Sequence, residues 1–353
     1  MIIVSFSSKL LLWYGENRRT LPWRGISDPY KIWLSEIILQ QTRIVQGEPY
    51  YLRFVEHYPT VGHLADASEE EVLKLWQGLG YYSRARNLHK AAQVVRDEYG
   101  GVFPSRYEQI RALPGVGDYT AAAIASFAFN LPYPVVDGNV IRFMTRLEGI
   151  FEEATSPACR KRILEILKER LDVRQAGPFN QALMEFGALA CTPQNPLCKR
   201  DGETCPFAGD CYALAHDVAS ELPVKKRREV LPVVNLHYLY LEEKGCVWVH
   251  KRGYDDLWRG MYDLPVWEAA EAQNSDARGE AAEPVAGLTL LKEYRQTLSH
   301  RRLHVFFYEV QAGSPLATQI GKNGEYRKVD KKTLSQLAVP KNIATFFRDF
   351  NIF

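Results

Sequence analysis

Three groups of residues have types and spacings that could do chemistry. In DPYKIWLSEIILQQT, residues 28–42, Glu36 lies on the flank of a helical pattern beside Ile32, Trp33 and Leu39, with Leu34, Ile37, Ile38 and Val45 as its core stripe. A carboxyl among apolar neighbours keeps its proton to higher pH than in water, which suits it to general-acid work near neutrality. The plain alternative is a surface glutamate with a solvated head. A second carboxyl, Asp137 in VVDGNVIRF, follows an apolar pair and precedes a glycine, the place of a helix N-cap as readily as of a catalytic group. Cys191, Cys198, Cys205 and Cys211 are separated by six, six and five residues. Four thiolates can ligate an iron–sulfur cluster or zinc, and no Cys-x-x-Cys pair decides between them.

A fourth feature is a glycine hairpin. LPGVGDYTA places Gly115 and Gly117 between a helical pattern ending near Ala112 and another running from Asp118 to Phe129. Glycines let the chain turn tightly there, and such a turn can aim backbone N–H groups and the positive end of the second helix at a phosphate. A phosphate contact of this kind holds a nucleic-acid backbone without reading sequence. A helix–helix connection with no ligand would look the same locally.

The elements that must position these residues follow from periodicity. From residue 1 to about 220 apolar residues recur at three and four, with breakers such as Asp28-Pro29 and Pro59, and no alternating strand stands out. The run LPVKKRREVLP, within residues 221–232, has a proline near each end and four consecutive basic residues, and reads as a linker. Beyond it Val233–Tyr240, Cys246–Lys251 and Leu303–Val310 are short, β-branched or aromatic stretches, which predict an α+β domain over residues 233–353. Glu268–Glu283, rich in Ala and Glu, fits either a helix or an exposed loop. No repeat of fixed period is visible, which argues against a solenoid or propeller.

Whole-chain quantities bound the reading. At 353 residues the chain exceeds the ~250 to 300 at which one core usually stops growing, so two domains are expected. A hydrophobic fraction of 46% and a charged fraction of 24% are those of an ordinary globular protein, and a net charge of +2 neither demands nor excludes a polyanion. The first fifteen residues read as an amphipathic helix interrupted by Lys9, and no run approaches the ~18 apolar residues of a membrane span. A cytoplasmic monomer is expected. The six cysteines are then expected to be reduced, with Cys159 and Cys246 as free thiols.

From WLSEIILQQT to the last clustered cysteine, the combination of hairpin, Asp137 and four thiols resembles the helix-hairpin-helix DNA glycosylase superfamily. The resemblance implies an all-α helix-hairpin-helix domain with an iron-sulfur cluster loop, followed by the α+β part. In the endonuclease III branch the position held here by Tyr119 is a lysine that attacks the sugar and then nicks the strand. Tyrosine cannot form a Schiff base, so the chain is more similar to the MutY branch, which removes adenine from duplex DNA without lyase chemistry. On that resemblance Glu36 protonates adenine at N7 and later positions the water, and Asp137 stabilises the oxocarbenium-like sugar, a pairing of acid and ionised carboxyl known from glycoside cleavage. Tyr119 and Asn139 match assisting positions in the same site.

Further positions carry over where the local strings agree. Trp23 and Arg24 in LPWR, with Gln181 in FNQALMEFGA, match residues that line the adenine pocket, and Gln41 and Tyr81 match residues that wedge into the base stack. The four cysteines match ligands of a structural 4Fe-4S cluster, although the family's middle interval is two residues and this chain has four more. CVWVHKRGYDDLWRGMYDLP, residues 246–265, resembles the opening of a Nudix domain, but the acidic metal-binding helix of a Nudix hydrolase is missing downstream. In the MutY branch such a domain reads 8-oxoguanine through a Phe-Ser-His loop. The stretch here has Leu298, Ser299 and His300, so the aromatic ring is lost; His300 also fits an ordinary surface histidine. The expected substrate is double-stranded DNA with adenine opposite 8-oxoguanine or guanine. The rivals are an endonuclease III-like enzyme for oxidised pyrimidines, a catalytically idle damage-binding module and a Nudix nucleotide hydrolase.

Overall fold

The computed structural model describes residues 5–200, 202, 204–226, 230–253, 258–267, 287–298 and 300–352. The expectations for Glu268–Glu283 and for Ser299 lie outside the described residues. Helices run over Phe6–Asn17 (α1), Pro29–Ile38 (α2), Ile44–His57 (α3), Val61–Asp66 (α4), Glu69–Trp76 (α5), Ser83–Tyr99 (α6), Tyr107–Ala112 (α7), Asp118–Phe129 (α8), Gly138–Glu148 (α9), Pro157–Arg170 (α10), Ala176–Leu189 (α11) and Tyr212–Ala215 (α12). Among the described residues none of the helices is long and apolar enough to cross a membrane.

Where one break near residue 220 was expected, the compact units interleave: residues 1–66 and 87–228 form the first, and 67–86 join 229–353 in the second. The reason lies in polar ties of α5, whose Glu70 carboxylate accepts from Lys251 Nζ at 2.5 Å and whose Lys74 Nζ donates to Leu337 O at 3.1 Å. The described start of the expected linker lies on the first unit. Leu222 is buried with Ala213 and Ala219, and Ala154 N donates to Val224 O at 2.9 Å.

In the first unit α2 begins as its sequence dictates. Asp28 caps it, its carboxylate accepting from Tyr30 N at 3.0 Å, and Pro29 takes the first helical position, where a missing N–H costs nothing. Ile32, Leu34, Ile37 and Ile38 are buried, but Val45 leaves the expected stripe and is 87% exposed. The helix stops at Ile38 and Gln41 takes a left-handed φ of 56°, which resets the register before α3. The alanine-rich α8 packs closely between α2 and α11 because its small side chains allow it. α11 in turn meets α9 at Gly187, where a Cβ would stand 2.5 Å from Asn139 O.

The hairpin joins α7 to α8 at the boundaries the sequence indicates. Gly115 has φ +75°, and a Cβ there would come within 2.6 Å of Asn87 Cβ, so the position requires glycine twice over. Gly117 does not share that constraint: its φ is −91° and a Cβ would meet nothing within 4 Å. Its lack of a side chain keeps the start of α8 open instead.

Among the described residues the second unit holds seven strands: Val233–Tyr240 (β1), Glu242–Glu243 (β2), Cys246–Lys251 (β3), Tyr262–Asp263 (β4), Thr289–Thr297 (β5), Arg302–Glu309 (β6) and Tyr326–Asp330 (β7). One sheet has the order β1-β6-β5, with β1 and β6 parallel and β5 antiparallel to β6; in the other, β3 pairs with β2, β4 and β7. Helices Pro315–Lys322 (α13), Lys331–Gln336 (α14) and Lys341–Asp349 (α15) complete it. Phe307 of β6 stacks on Phe346 of α15 with centroids 4.1 Å apart, and on the other face of the sheet Leu239, Leu241, Phe306 and Ile320 form a core.

Replacing Gly115 by Ala should cost about 1–3 kcal/mol, from the left-handed backbone and the overlap with Asn87. Urea unfolding of the two proteins measures it; a difference within about 0.5 kcal/mol would mean the turn relaxes freely.

Candidate active site

A cavity of about 790 Å³ in the first unit gathers most of the expected residues: Trp23, Arg24, Glu36, Gln41, Gly115, Gly117, Tyr119, Asp137 and Asn139 line it. Gln181 does not. It lines the adjoining cavity of about 520 Å³, which shares Arg19, Leu21 and Arg24 with the first, and its Oε1 accepts from Tyr14 O–H at 3.0 Å. Tyr81 and His300 belong to the second unit, both exposed, His300 in the turn between β5 and β6.

Glu36 projects half-buried from α2, whose Tyr30, Ile32, Trp33, Leu34, Ile37 and Ile38 fill the core around it, so its carboxyl is shielded from much of the solvent. That burial pushes its pKa up to about 7; the hydrogen bond from Tyr119 and the charge of Arg24 pull down, and Asp137 pushes up. Tyr119 O–H donates to Glu36 Oε2 at 2.9 Å. Burial and the neighbouring carboxyls hold the Tyr119 hydroxyl well above its ordinary value, so it remains a donor.

Asp137 is both things the sequence allowed. Its Oδ1 caps α9, accepting from Val140 N at 2.8 Å, while Oδ2 accepts from Asn139 Nδ2 at 2.9 Å. Burial raises its pKa, and the N–H donors of Val140 and Asn139 act against that rise by stabilising the charge. Asn139 is oriented from behind: Arg142 Nη2 donates to Asn139 Oδ1 at 2.9 Å and to Gly187 O at 2.6 Å, and Arg142 Nε donates to Cys191 O at 2.8 Å.

Glu185 and Arg19, a charged pair in the cavity wall, were not among the expected residues. Glu185, 2% exposed, accepts from Arg19 Nε and Nη2 at 2.7 Å each and lies 3.9 Å from Arg24. Its place one helical turn after Gln181 on α11 was the available signal, since positions four apart share a face. Arg19 carries no motif, and only its partner explains it.

Cys191, Cys198, Cys205 and Cys211 line one small cavity, walled by Phe143, Phe186, Phe207 and Arg146. Burial raises the thiols of Cys191 and Cys211 and pushes Cys205 to about 11. Arg146 Nη1 lies 3.6 Å from Cys191 Sγ and donates to Thr192 O at 2.7 Å. Among the described residues no three His, Cys, Asp or Glu side chains are grouped to hold a single metal ion.

Comparison with known proteins places this geometry in company. Residues 34–169 match the model of the HhH-GPD superfamily base excision DNA repair protein, and residues 237–349 match a NUDIX domain. An adenine DNA glycosylase of Buchnera aphidicola subsp. Baizongia pistaciae is 32% identical over 307 residues, covering 86% of each chain. The adenine DNA glycosylase of Homo sapiens is 42% identical over 220 residues, 60% of this chain and 40% of that protein. A thermostable thymine-DNA glycosylase superposes with a TM-score of 0.54 at 30% identity, over 60% of this chain and 95% of that one. Endonuclease III in a non-covalent DNA complex, 21% identical with a TM-score of 0.51 over 60% of this chain and 94% of that one, shares the fold.

The raised pKa of Glu36 has a thermodynamic consequence. An unfolded glutamate titrates near 4.5 and the folded one near 7, so between these values the folded state binds more protons and stability falls as pH rises. Glu36→Gln should therefore gain about 2–3 kcal/mol over the parent at pH 8 and almost nothing at pH 4.5. Denaturant titrations at the two pH values measure this, and equal stability of both proteins at pH 8 would mean the carboxyl is solvated.

Proposed function

The chain belongs to the adenine DNA glycosylase family, and from that premise we propose that it removes adenine opposite 8-oxoguanine or guanine in duplex DNA, with Glu36 as general acid and Asp137 as stabiliser of the sugar cation. The observation that carries this reading is the Glu36 carboxyl, poised near pH 7 under the Tyr119 hydroxyl in the cavity it shares with Asp137 and Asn139.

An adenine anion departs poorly, so the base is protonated as the glycosidic bond breaks. Because Tyr119 donates to Oε2, the transferable proton of Glu36 sits on Oε1. Protonation at N7 makes the base a better leaving group, and C1′ becomes cationic as the bond lengthens. The Asp137 carboxylate, whose charge the N–H donors of Val140 and Asn139 favour against its burial, stabilises that cation. Glu36, now ionised, orients a water and takes its proton as the oxygen bonds to C1′, which restores the acid. Tyr119 stands where a lyase would need an amine, so the strand is left unbroken.

Extrusion of the base costs a few kcal/mol of stacking. Gln41 and Tyr81 are suited to offset it: both take left-handed backbone conformations, with φ of 56° and 49°, and both are exposed. The sugar would sit at Asp137, with the base held by Trp23 and Arg24 on the side toward Gln181. The open start of α8 at Gly117, uncapped by any side chain, would take a DNA phosphate. In the turn between β5 and β6, Leu298 and His300 would meet the opposite base.

The four thiols fit a 4Fe-4S cluster: they surround one cavity, its walls largely apolar and including Phe143, Phe186 and Phe207, with Arg142 and Arg146 close to Cys191. When bound, such a cluster supplies a rigid cross-link for the loop 191–211, and the basic residues Lys199 and Arg200 on that loop can then face DNA.

Single-turnover excision on duplexes carrying adenine opposite 8-oxoguanine, adenine opposite guanine, and thymine glycol opposite adenine tests the reading. Cleavage at adenine only after alkali, its rate falling above pH 7 and lost by at least ~10³-fold in Glu36→Gln, is the expected result. Alkali-independent cleavage at thymine glycol, with borohydride trapping, would overturn it in favour of the lyase branch; unchanged turnover in Glu36→Gln would overturn the acid. Separately, Leu298→Phe should raise the preference for 8-oxoguanine over guanine roughly three- to tenfold by restoring a ring to the reading loop; a ratio no higher than the parent's would show that the loop does not stack on the lesion.

A further inference from the structure

Tyr81 lies at the tip of a turn that is costly to hold. Gly78, Gly80 and Tyr81 have φ of 101°, 75° and 49°, and Tyr81 is 49% exposed. A non-glycine residue in that region persists only where its surroundings fix it. Part of the fixing is local: Trp76 Nε1 donates to Gly80 O at 3.0 Å, and the Arg84 guanidinium lies 5.5 Å from the Tyr81 ring.

The rest comes from the far end of the sequence within the same unit. Gln77, immediately before the first left-handed residue, accepts through Oε1 from Val339 N at 3.4 Å and from Lys74 Nζ at 3.3 Å. Lys74 Nζ also donates to Leu337 O at 3.1 Å. The loop 337–339 is itself fixed to the sheet, since Tyr262 N in β4 donates to Ala338 O at 2.8 Å. A continuous hydrogen-bonded path thus runs from β4 through the loop to the entry of the Tyr81 turn. Although residues 67–86 fall inside the span of the helical family model, they pack with the carboxy-terminal part of the chain.

We propose that Gln77 and Lys74 are positioning residues through which the loop 337–339 sets the stance of Tyr81 for insertion into the base stack. The proposal rests on the reading of Tyr81 as a wedge given above. On this basis the carboxy-terminal part serves base extrusion at any adenine mispair, in addition to meeting the opposite base.

The test is a double-mutant cycle in the full chain, read by single-turnover excision at A:G and A:8-oxoguanine and by the fluorescence of 2-aminopurine placed beside the target adenine, which reports unstacking. Gln77→Ala should slow excision on both duplexes roughly three- to tenfold, the scale of one lost hydrogen bond, and lower the fluorescence gain on binding. Gln77→Glu, which keeps an acceptor for Val339 N–H, should restore both. In a Tyr81→Ala background Gln77→Ala should add nothing. Fully additive losses, or parental rates in the Gln77→Ala, Lys74→Met double variant, would overturn the positioning role. If Tyr81→Ala itself leaves excision and fluorescence unchanged, the wedge reading fails and the proposal falls with it.

Discussion

A carboxyl that must hold its proton near neutral pH has to be kept from water, and much of the first unit serves that one demand. Glu36 rides on a helix whose other faces are buried by Ile32, Trp33, Leu34, Ile37 and Ile38, so the helix cannot turn its acid toward solvent without exposing its core. The Tyr119 hydroxyl meets the carboxyl at 2.9 Å, and that bond opposes the pKa rise. The value near 7 is a balance between burial, which alone would push it higher, and a donor that keeps the charged form accessible for the later steps.

The second carboxyl meets the same kind of balance with more donors. Asp137 is half-buried, and the first turn of α9 and the Asn139 amide supply it with N–H donors. Burial raises both carboxyls, Glu36 to about 7, and in each case hydrogen-bond donors oppose the rise. Close packing makes this possible: α11 can press on α9 only because position 187 has no side chain, and the carbonyl brought near there shares Arg142 with Asn139. A buried polar network of this kind has little tolerance, since every donor lost leaves an acceptor in a medium that cannot replace it.

The elements legible in the sequence were those set by local chemistry. α7 and α8 flank the glycine hairpin at the residues their periodicity indicates, and β1 and β3 follow their β-branched and aromatic runs. What periodicity could not reveal was decided by long-range contact. Val45 fits the apolar stripe of α2 but lies past a left-handed break at Gln41, a conformation no residue type announced. β5, with Lys292, Glu293 and Arg295 along an exposed edge, has no apolar alternation to reveal it. Gln181 was grouped with Trp23 and Arg24 by string similarity, yet its bond with Tyr14 places it in the next cavity. Residues 67–86 read as one more stretch of helical pattern, and only their pairing with residues far along the chain assigns them to the second unit.

The cysteine interval shows how far a spacing rule can bend. Six residues between Cys198 and Cys205 in place of two would lengthen the loop that the proposed cluster closes, and by polymer scaling that costs only about 1 kcal/mol. Against this stands Phe207, two residues beyond Cys205. It is buried between Phe143 and Phe186 with centroids 5.2 and 5.1 Å away, a placement that removes most of a phenyl ring from water, contributing about 2–3 kcal/mol. The aromatic anchor therefore outweighs the longer loop. Because that anchor fixes the chain beside the third cysteine, all four thiols still reach one cavity, and the constraint that matters is where Phe207 docks on α9 and α11, which an interval counted along the sequence does not measure.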